Sequence, residues 1–174
     1  MMNPGEPKIL LDCDVFIHFL KGGRILELFK IFPGRFVMLD KVKKELLQRD
    51  SNHIAIALVL AQTDLQEVQM PTDNAVLKEY FSLKGKMDDG EAACLSVARF
   101  NREYVASSNI TQVGKYCQDN GIQLYTTMDL LHEACLKGII CEADCNAFIQ
   151  EVRGKNSKLP DMTLTQYRKF KNII

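Results

Sequence analysis

Lys8-Ile9-Leu10-Leu11-Asp12-Cys13-Asp14-Val15 is a short apolar run that ends in acids. A half-buried strand would alternate apolar and polar residues. Three aliphatic residues in a row instead fit a parallel strand covered on both faces. A chain leaving such a strand must cross over before pairing again, so helical spacing should follow. Val15 to Leu20 has it and stops near Gly22-Gly23. Arg24 to Phe32 repeats it through Ile25, Leu28, Phe29 and Phe32, and Pro33-Gly34 ends it.

The same alternation continues along the chain. Arg35 to Leu39 reads as a second strand, with Asp40 placed to cap a helix from Lys41. A more apolar helix runs from about Asn52 to Gln62. Leu65 to Met70 reads as a strand, and Pro71-Thr72-Asp73 starts a helix ending near Gly85. Asp88-Asp89-Gly90-Glu91 opens a helix of small apolar residues through about Arg99. Glu103 to Ala106 is a strand, Asn109 caps a helix to Asn120-Gly121, and Ile122 to Tyr125 is a fifth strand. Helices follow near residues 127–137 and 142–153. This order predicts an α/β fold with a mainly parallel sheet. Residues 1–153 form one domain in this reading, and 154–174 a polar tail that turns weakly helical from Thr163.

The 174 residues are enough for one buried core, and 47% apolar with 25% charged residues is ordinary for a globular chain. No apolar run nears the roughly 18 residues that span a bilayer, and the polar N-terminus lacks the features of a secretory leader. The chain is expected to be cytoplasmic, without membrane contact. Its six cysteines are expected to be reduced, several of them buried. Cys141 and Cys145 have half of a zinc spacing but no matching pair. Equal numbers of basic and acidic residues argue against strong non-specific duplex binding.

In parallel sheets, ligands bind beyond the carboxyl ends of the strands, so the acids there matter most. Asp12 and Asp14 follow the first strand, where a cap and a first-turn acid would also serve. Glu45 lies in the helix after the second strand, with Lys41 at i−4 as an ion-pair partner. Asp88-x-x-Glu91 has capping-box spacing. Ala106-Ser107-Ser108-Asn109 closes the fourth strand with neutral polar groups. Carboxylates gathered this way would repel one another unless a divalent cation relieved them.

In order and spacing, Ile9-Leu-Leu-Asp12-Cys-Asp14, Val42-Lys-Lys-Glu45-Leu46, Gly90-Glu91-Ala-Ala-Cys-Leu-Ser-Val-Ala98 and Tyr104-Val-Ala-Ser-Ser-Asn109 resemble the PIN-domain family, which includes the VapC-type toxins of toxin–antitoxin systems. Gly121-Ile122 through Leu131 and Lys137-Gly-Ile-Ile140 are similar to its closing strand and helix, so the resemblance spans about residues 8–140. It implies a three-layer α/β/α fold with four to five central strands. It also implies a nuclease using Mg²⁺ or Mn²⁺ to hydrolyse phosphodiester bonds, in RNA above all. An antitoxin protein and a homodimer are the partners such a family offers.

Asp12, Glu45 and Glu91 fall on the family's first three acidic positions. Asp12 and Glu91 would be the principal metal ligands, and Glu45 would bind a second ion or act through water. The fourth position falls on Asn109 or Ser108, where aspartate is frequent. An amide there can orient water or phosphate but adds no charge. Asp14, Ser108 and Asp88 are auxiliary, and Asp129 could compensate or simply serve as a first-turn acid. Lys41, Lys43 and Lys44, with Lys84 and Lys86, would face the nucleic-acid backbone. His18, His53 and His132 show no metal spacing.

Two rivals remain. Ile-Leu-Leu-Asp12-Cys-Asp14-Val also resembles the opening of haloacid-dehalogenase-like phosphatases, with Asp12 as nucleophile and Asp14 as acid/base, although no later paired-acid motif completes it. A PIN scaffold weakened at its fourth position could instead bind RNA or protein without cutting.

Overall fold

The computed structural model describes residues 5–49 and 53–173. Five strands, β1 (Ile9–Leu11), β2 (Phe36–Leu39), β3 (Gln66–Val68), β4 (Tyr104–Ala106) and β5 (Leu124–Tyr125), pair in the order β3-β2-β1-β4-β5, every neighbour parallel. The helices are α1 (Cys13–Lys21), α2 (Ile25–Ile31), α3 (Asp40–Arg49), α4 (His53–Gln62), α5 (Asn74–Leu83), α6 (Asp89–Asn101), α7 (Gln112–Asn120), α8 (Thr127–Leu136), α9 (Glu142–Gly154) and α10 (Leu164–Lys171). This is the parallel α/β architecture expected from the alternating pattern. The expected start of α4 at Asn52 lies outside the described residues.

β1 is the central strand, in register with β2 through Ile9↔Phe36 and with β4 through Leu11↔Ala106. Ile9, Leu10 and Leu11 are fully buried, which is why the run carries no polar residue until Asp12. The chain winds from β1 outward to β2 and β3, then returns to β4 on the other side. The point of reversal lies between the carboxyl ends of β1 and β4, where open α/β sheets form their ligand crevice.

α6 lies against β1 and β2 and packs on α3, α5 and α7. Its residues Gly90 through Ala98 are all buried, a close fit that Ala92, Ala93, Cys94, Ser96 and Ala98 make feasible. α1, α2, α8 and α9 form a second packed group. Phe16 and Phe19 of α1 are wholly buried, each contributing about 1.5–3 kcal/mol.

Asp40 does not cap α3 as expected. The chain passes from β2 straight into helix, so Asp40 is the first helical residue, and its Oδ1 accepts from Met70 N at 2.9 Å. Beyond residue 153 the chain still contributes to the core, because α10 buries Leu164 and Tyr167 against α8 and α9. The six cysteines form no disulfide, and four are buried. No helix among the described residues is long and apolar enough to cross a membrane.

The turn that returns α1 depends on a missing side chain. A Cβ at Gly22 would sit 2.2 Å from the Phe148 ring of α9. Gly22→Ala should therefore destabilise the fold by about 1–3 kcal/mol, whereas Gly138→Ala meets no such obstacle and carries only the strain of its positive φ. Urea denaturation of both variants measures the difference.

Candidate functional site

Asp12 ends β1 and caps α1. Its Oδ1 accepts from Cys13 N at 2.8 Å and its Oδ2 from Ser107 Oγ at 3.2 Å. Ser107 follows β4, the strand beside β1. Its hydroxyl also accepts from Asn109 N at 3.2 Å, and Asn109 Nδ2 donates to Glu91 Oε1 at 2.8 Å. One continuous path of hydrogen bonds thus joins Asp12 to Glu91 across the switch point. Glu91 reaches the rim because it sits at N3 of α6, where its Oε2 accepts from Asp88 N at 3.3 Å within the expected capping box.

Asp14, in the first turn of α1, accepts from Val15 N at 2.6 Å and Ser108 N at 2.9 Å. The Ser108 hydroxyl pairs with Thr127 Oγ1 at 2.7 Å, and Thr127 with His18 Nδ1 at 2.9 Å. Glu45 approaches from α3 and accepts from Gly90 N at 3.0 Å. That approach needs a glycine, since a Cβ at residue 90 would lie 2.8 Å from Glu45 Oε2. The expected partner Lys41 is not the one Glu45 takes. Arg49, at i+4, pairs with Glu45 at 3.2 Å and with Asp88 at 3.1 Å. A glutamate N-terminal to its cation is the more favourable order on a helix.

The rim is electrostatically tense. Asp12 is held well above the usual carboxylate range, first by burial, then by the charges of Asp14, Glu91 and Glu45. Burial likewise pushes Asp14 up to about 6 and raises Glu91. Burial lowers His18 to about 4, so it stays neutral at physiological pH. Among the described residues, no group of three or more His, Cys, Asp or Glu side chains is set to hold a metal ion. The acids share one electrostatic neighbourhood, but each carboxylate is turned to its own N–H, hydroxyl or guanidinium.

A cleft of about 350 Å³ opens beside Glu91, lined by Gly85, Lys86, Met87, Asp88, Asn109 and Gln112. Of the expected backbone-binding lysines, Lys86 lines this cleft. Lys84 pairs with Asp89 at 3.3 Å. Lys41 lies 3.9 Å from Asp40, and Lys43 pairs with Glu67. Lys43 and Lys44 line a separate groove with Glu67 and Val68 of β3. Asp129 serves Thr126 in the capping box of α8 and accepts from Tyr167 Oη at 2.6 Å, so it is not part of the rim's hydrogen-bonded path. His53 bonds Leu47 O and His132 bonds Arg168. Cys145 is buried and Cys141 exposed.

Arg49 and Thr127 went unnoticed in the sequence, and Ser107 was noted in the polar cluster after the fourth strand but given no role. Its place directly after a buried strand could have suggested one, and Arg49 could have been found from its i+4 spacing to Glu45. Thr127 gave no local signal, since its partners are distant along the chain.

Asp14 ionises reluctantly in the fold, so its burial costs stability once pH exceeds the ordinary carboxylate value near 4. That cost should grow until about pH 6 and then level off. In the metal-free protein, Asp14→Asn should therefore gain stability relative to wild type as pH rises from 4 to 7, by roughly 1–3 kcal/mol. His18 acts in the opposite sense below pH 6.5 but cancels in this difference. Thermal melts of the pair across pH measure it. No protein-family model matches the chain and no curated protein matches it significantly, so the chemistry of the rim stands on its own residues.

Proposed function

We propose that this chain is a divalent-metal-dependent nuclease of the PIN type that hydrolyses phosphodiester bonds in RNA. The observation that carries this reading is the joining of buried Asp12 to Glu91 through Ser107 and Asn109, with Asp14 and Glu45 adding like charge. Such crowding penalises the metal-free fold, and a divalent cation relieves it.

The donor set fits Mg²⁺ or Mn²⁺, which favour oxygen ligands and keep several waters. A carboxylate offers about four lone-pair sites, and the fold engages each oxygen of Asp12 and Glu91 only once. Both can therefore hold an ion without surrendering their present bonds, whereas the charge of Glu45 is already offset by Arg49. Bound there, the ion supplies charge stabilisation at the phosphoryl oxygens and a more acidic water. The chain itself fixes the ligands. Ser107 orients Asp12, Asn109 orients Glu91, and Arg49 offsets charge at Glu45 and Asp88. Lys86 lines the adjoining cleft, where it would meet a phosphate.

The amide at 109 and the commitment of Glu45 to Arg49 favour one second reading, a PIN scaffold that binds RNA without cutting it. Incubating single-stranded RNA with Mn²⁺ separates the two. The nuclease should cut, stop in EDTA, and lose about 100-fold in rate in Asp12→Asn. Calorimetry should show Mn²⁺ binding that Asp12→Asn removes. Wild type that takes up no Mn²⁺ and leaves the RNA intact rejects the nuclease.

Asn109→Asp tests the fourth position directly. It replaces the donor facing Glu91 Oε1 with another acid. Metal-free stability should fall by about 1–3 kcal/mol while Mn²⁺ affinity rises, read by melting and calorimetry on the same variant.

A further inference from the structure

We propose that Thr127 and His18 are positioning residues for the rim: they hold the tripeptide Ser107-Ser108-Asn109 against three of its acids, and so fix the spacing at which Asp12 and Glu91 would take a divalent cation. The proposal rests on the rim being a metal site, as argued above, and names the part of the chain that sets it.

The tripeptide comes first. Ser107 Oγ donates to Asp12 at 3.2 Å, Ser108 N–H to Asp14 at 2.9 Å and Asn109 Nδ2 to Glu91 at 2.8 Å. Three consecutive residues thus reach three acids at the starts of two helices, α1 and α6. Whatever fixes this loop fixes the acids relative to one another. Its ends are tied by backbone bonds, Ser107 N–H to Tyr125 O at 3.1 Å and Gly114 N–H to Asn109 O at 3.1 Å. Its middle is tied by a side chain. Ser108 Oγ lies 2.7 Å from Thr127 Oγ1 and accepts from Thr127 N–H at 3.3 Å. Among the described residues, that hydroxyl has no other hydrogen-bond partner than Thr127.

Thr127 does not cap its own helix. Thr126 does, in the capping box with Asp129. The Thr127 hydroxyl turns instead to Ser108 and to His18 Nδ1, 2.9 Å away. Asp14 and His18 stand at i and i+4 on one face of α1. The contacts therefore close a ring, from Asp14 to Ser108, to Thr127, to His18, and back to Asp14 through one turn of α1. The ring joins α1, the end of β4 and the start of α8. Opening it at Thr127 releases the middle of the loop that holds the acids.

Burial gives the ring its rigidity. Thr127 is fully buried and His18 nearly so, and their own helices bury Phe16, Phe19, Met128 and Leu130 beside them. An apolar pair would fill such a place without desolvating polar groups. A satisfied polar network instead fixes one orientation where an apolar contact tolerates several. Burial also lowers His18 to about 4, so the ring is uncharged at neutral pH. It acts on the acids through position rather than through its own field.

Amide hydrogen exchange and Mn²⁺ calorimetry on the full-length protein test this in Thr127→Val and Thr127→Ser. In EDTA, the Ser108 amide should exchange about tenfold faster in Thr127→Val. It should keep the wild-type rate in Thr127→Ser, which retains the hydroxyl. The Leu130 amide, bonded to Thr126 O inside α8, should not change and so reports an intact helix. Mn²⁺ affinity should fall about tenfold in Thr127→Val and recover in Thr127→Ser. His18→Leu opens the ring at its other end and should move both readouts the same way. Equal Ser108 exchange in wild type and Thr127→Val overturns the proposal. Faster exchange at Ser108 and Leu130 alike assigns Thr127 to the stability of α8 and also overturns it, as does a Mn²⁺ affinity that Thr127→Val leaves unchanged. Wild type that takes up no Mn²⁺ rejects the metal site, and the exchange rates alone then uphold or overturn the hold on the acids.

Discussion

Four carboxylates confined around the end of the central strand are the constraint on which this fold's construction turns. Asp12 is 3% exposed and faces the charges of Asp14, Glu91 and Glu45, so ionising it costs more than its two hydrogen bonds return. The surrounding residues answer that cost one by one. Ser107 and Cys13 N–H donate to Asp12, Asn109 and Asp88 N–H to Glu91, and Gly90 N–H to Glu45. Arg49 supplies the only side-chain cation paired with Glu45 among the described residues. Such polar networks hold only when every member is satisfied, and no buried side-chain oxygen or nitrogen among the described residues lacks a partner.

The packing of α6 follows from the same need. Glu91 must reach the rim while its helix lies flat on β1 and β2, and small side chains permit the close approach. Gly90 also removes the atom that would block Glu45. The same stretch, Gly90 to Ala98, therefore serves core and site at once. A larger side chain at Ala92 or Ala93 would move the carboxylate as surely as it would strain the core.

Most of the fold was legible because its signals are local. Ile9-Leu10-Leu11 had no polar residue to hide, and Gly22, Gly34, Gly121 and Asp88 marked where elements stop or start. The order of strands in the sheet was not legible, because β1 pairs with β4 across nearly a hundred residues. Asp40 misled because a residue that usually caps can also simply begin a helix. In the site, Asp12, Asp14, Glu91, Ser108 and Asn109 could be named from their places after strands and at helix starts, whereas Glu45, inside α3, was singled out by the resemblance to the PIN family. Their orientations could not. Which cation would meet Glu45 turned on helix geometry that favours i+4, and the link from Thr127 to Ser108 joins residues 19 apart in sequence. α10 was read as a weak tail because its burial rests on two side chains, Leu164 and Tyr167, whose partners lie on other helices.

Asn109 shows how the rim balances stability against charge. An aspartate there would set a fifth carboxylate against Glu91, with no ion to offset it in the metal-free fold. The amide donates instead, and its Oδ1 accepts from Gln112 N to begin α7. Arg49 has a similar effect on the other side of the cluster, neutralising Glu45 from within the chain. Together they offset repulsion at the rim from within the chain, at the cost of charge that a cation would use. On the proposed reading, affinity for a divalent cation at this rim would be set by competition. The ion must gain more from Asp12 and Glu91 than the fold already gains from an amide and a guanidinium.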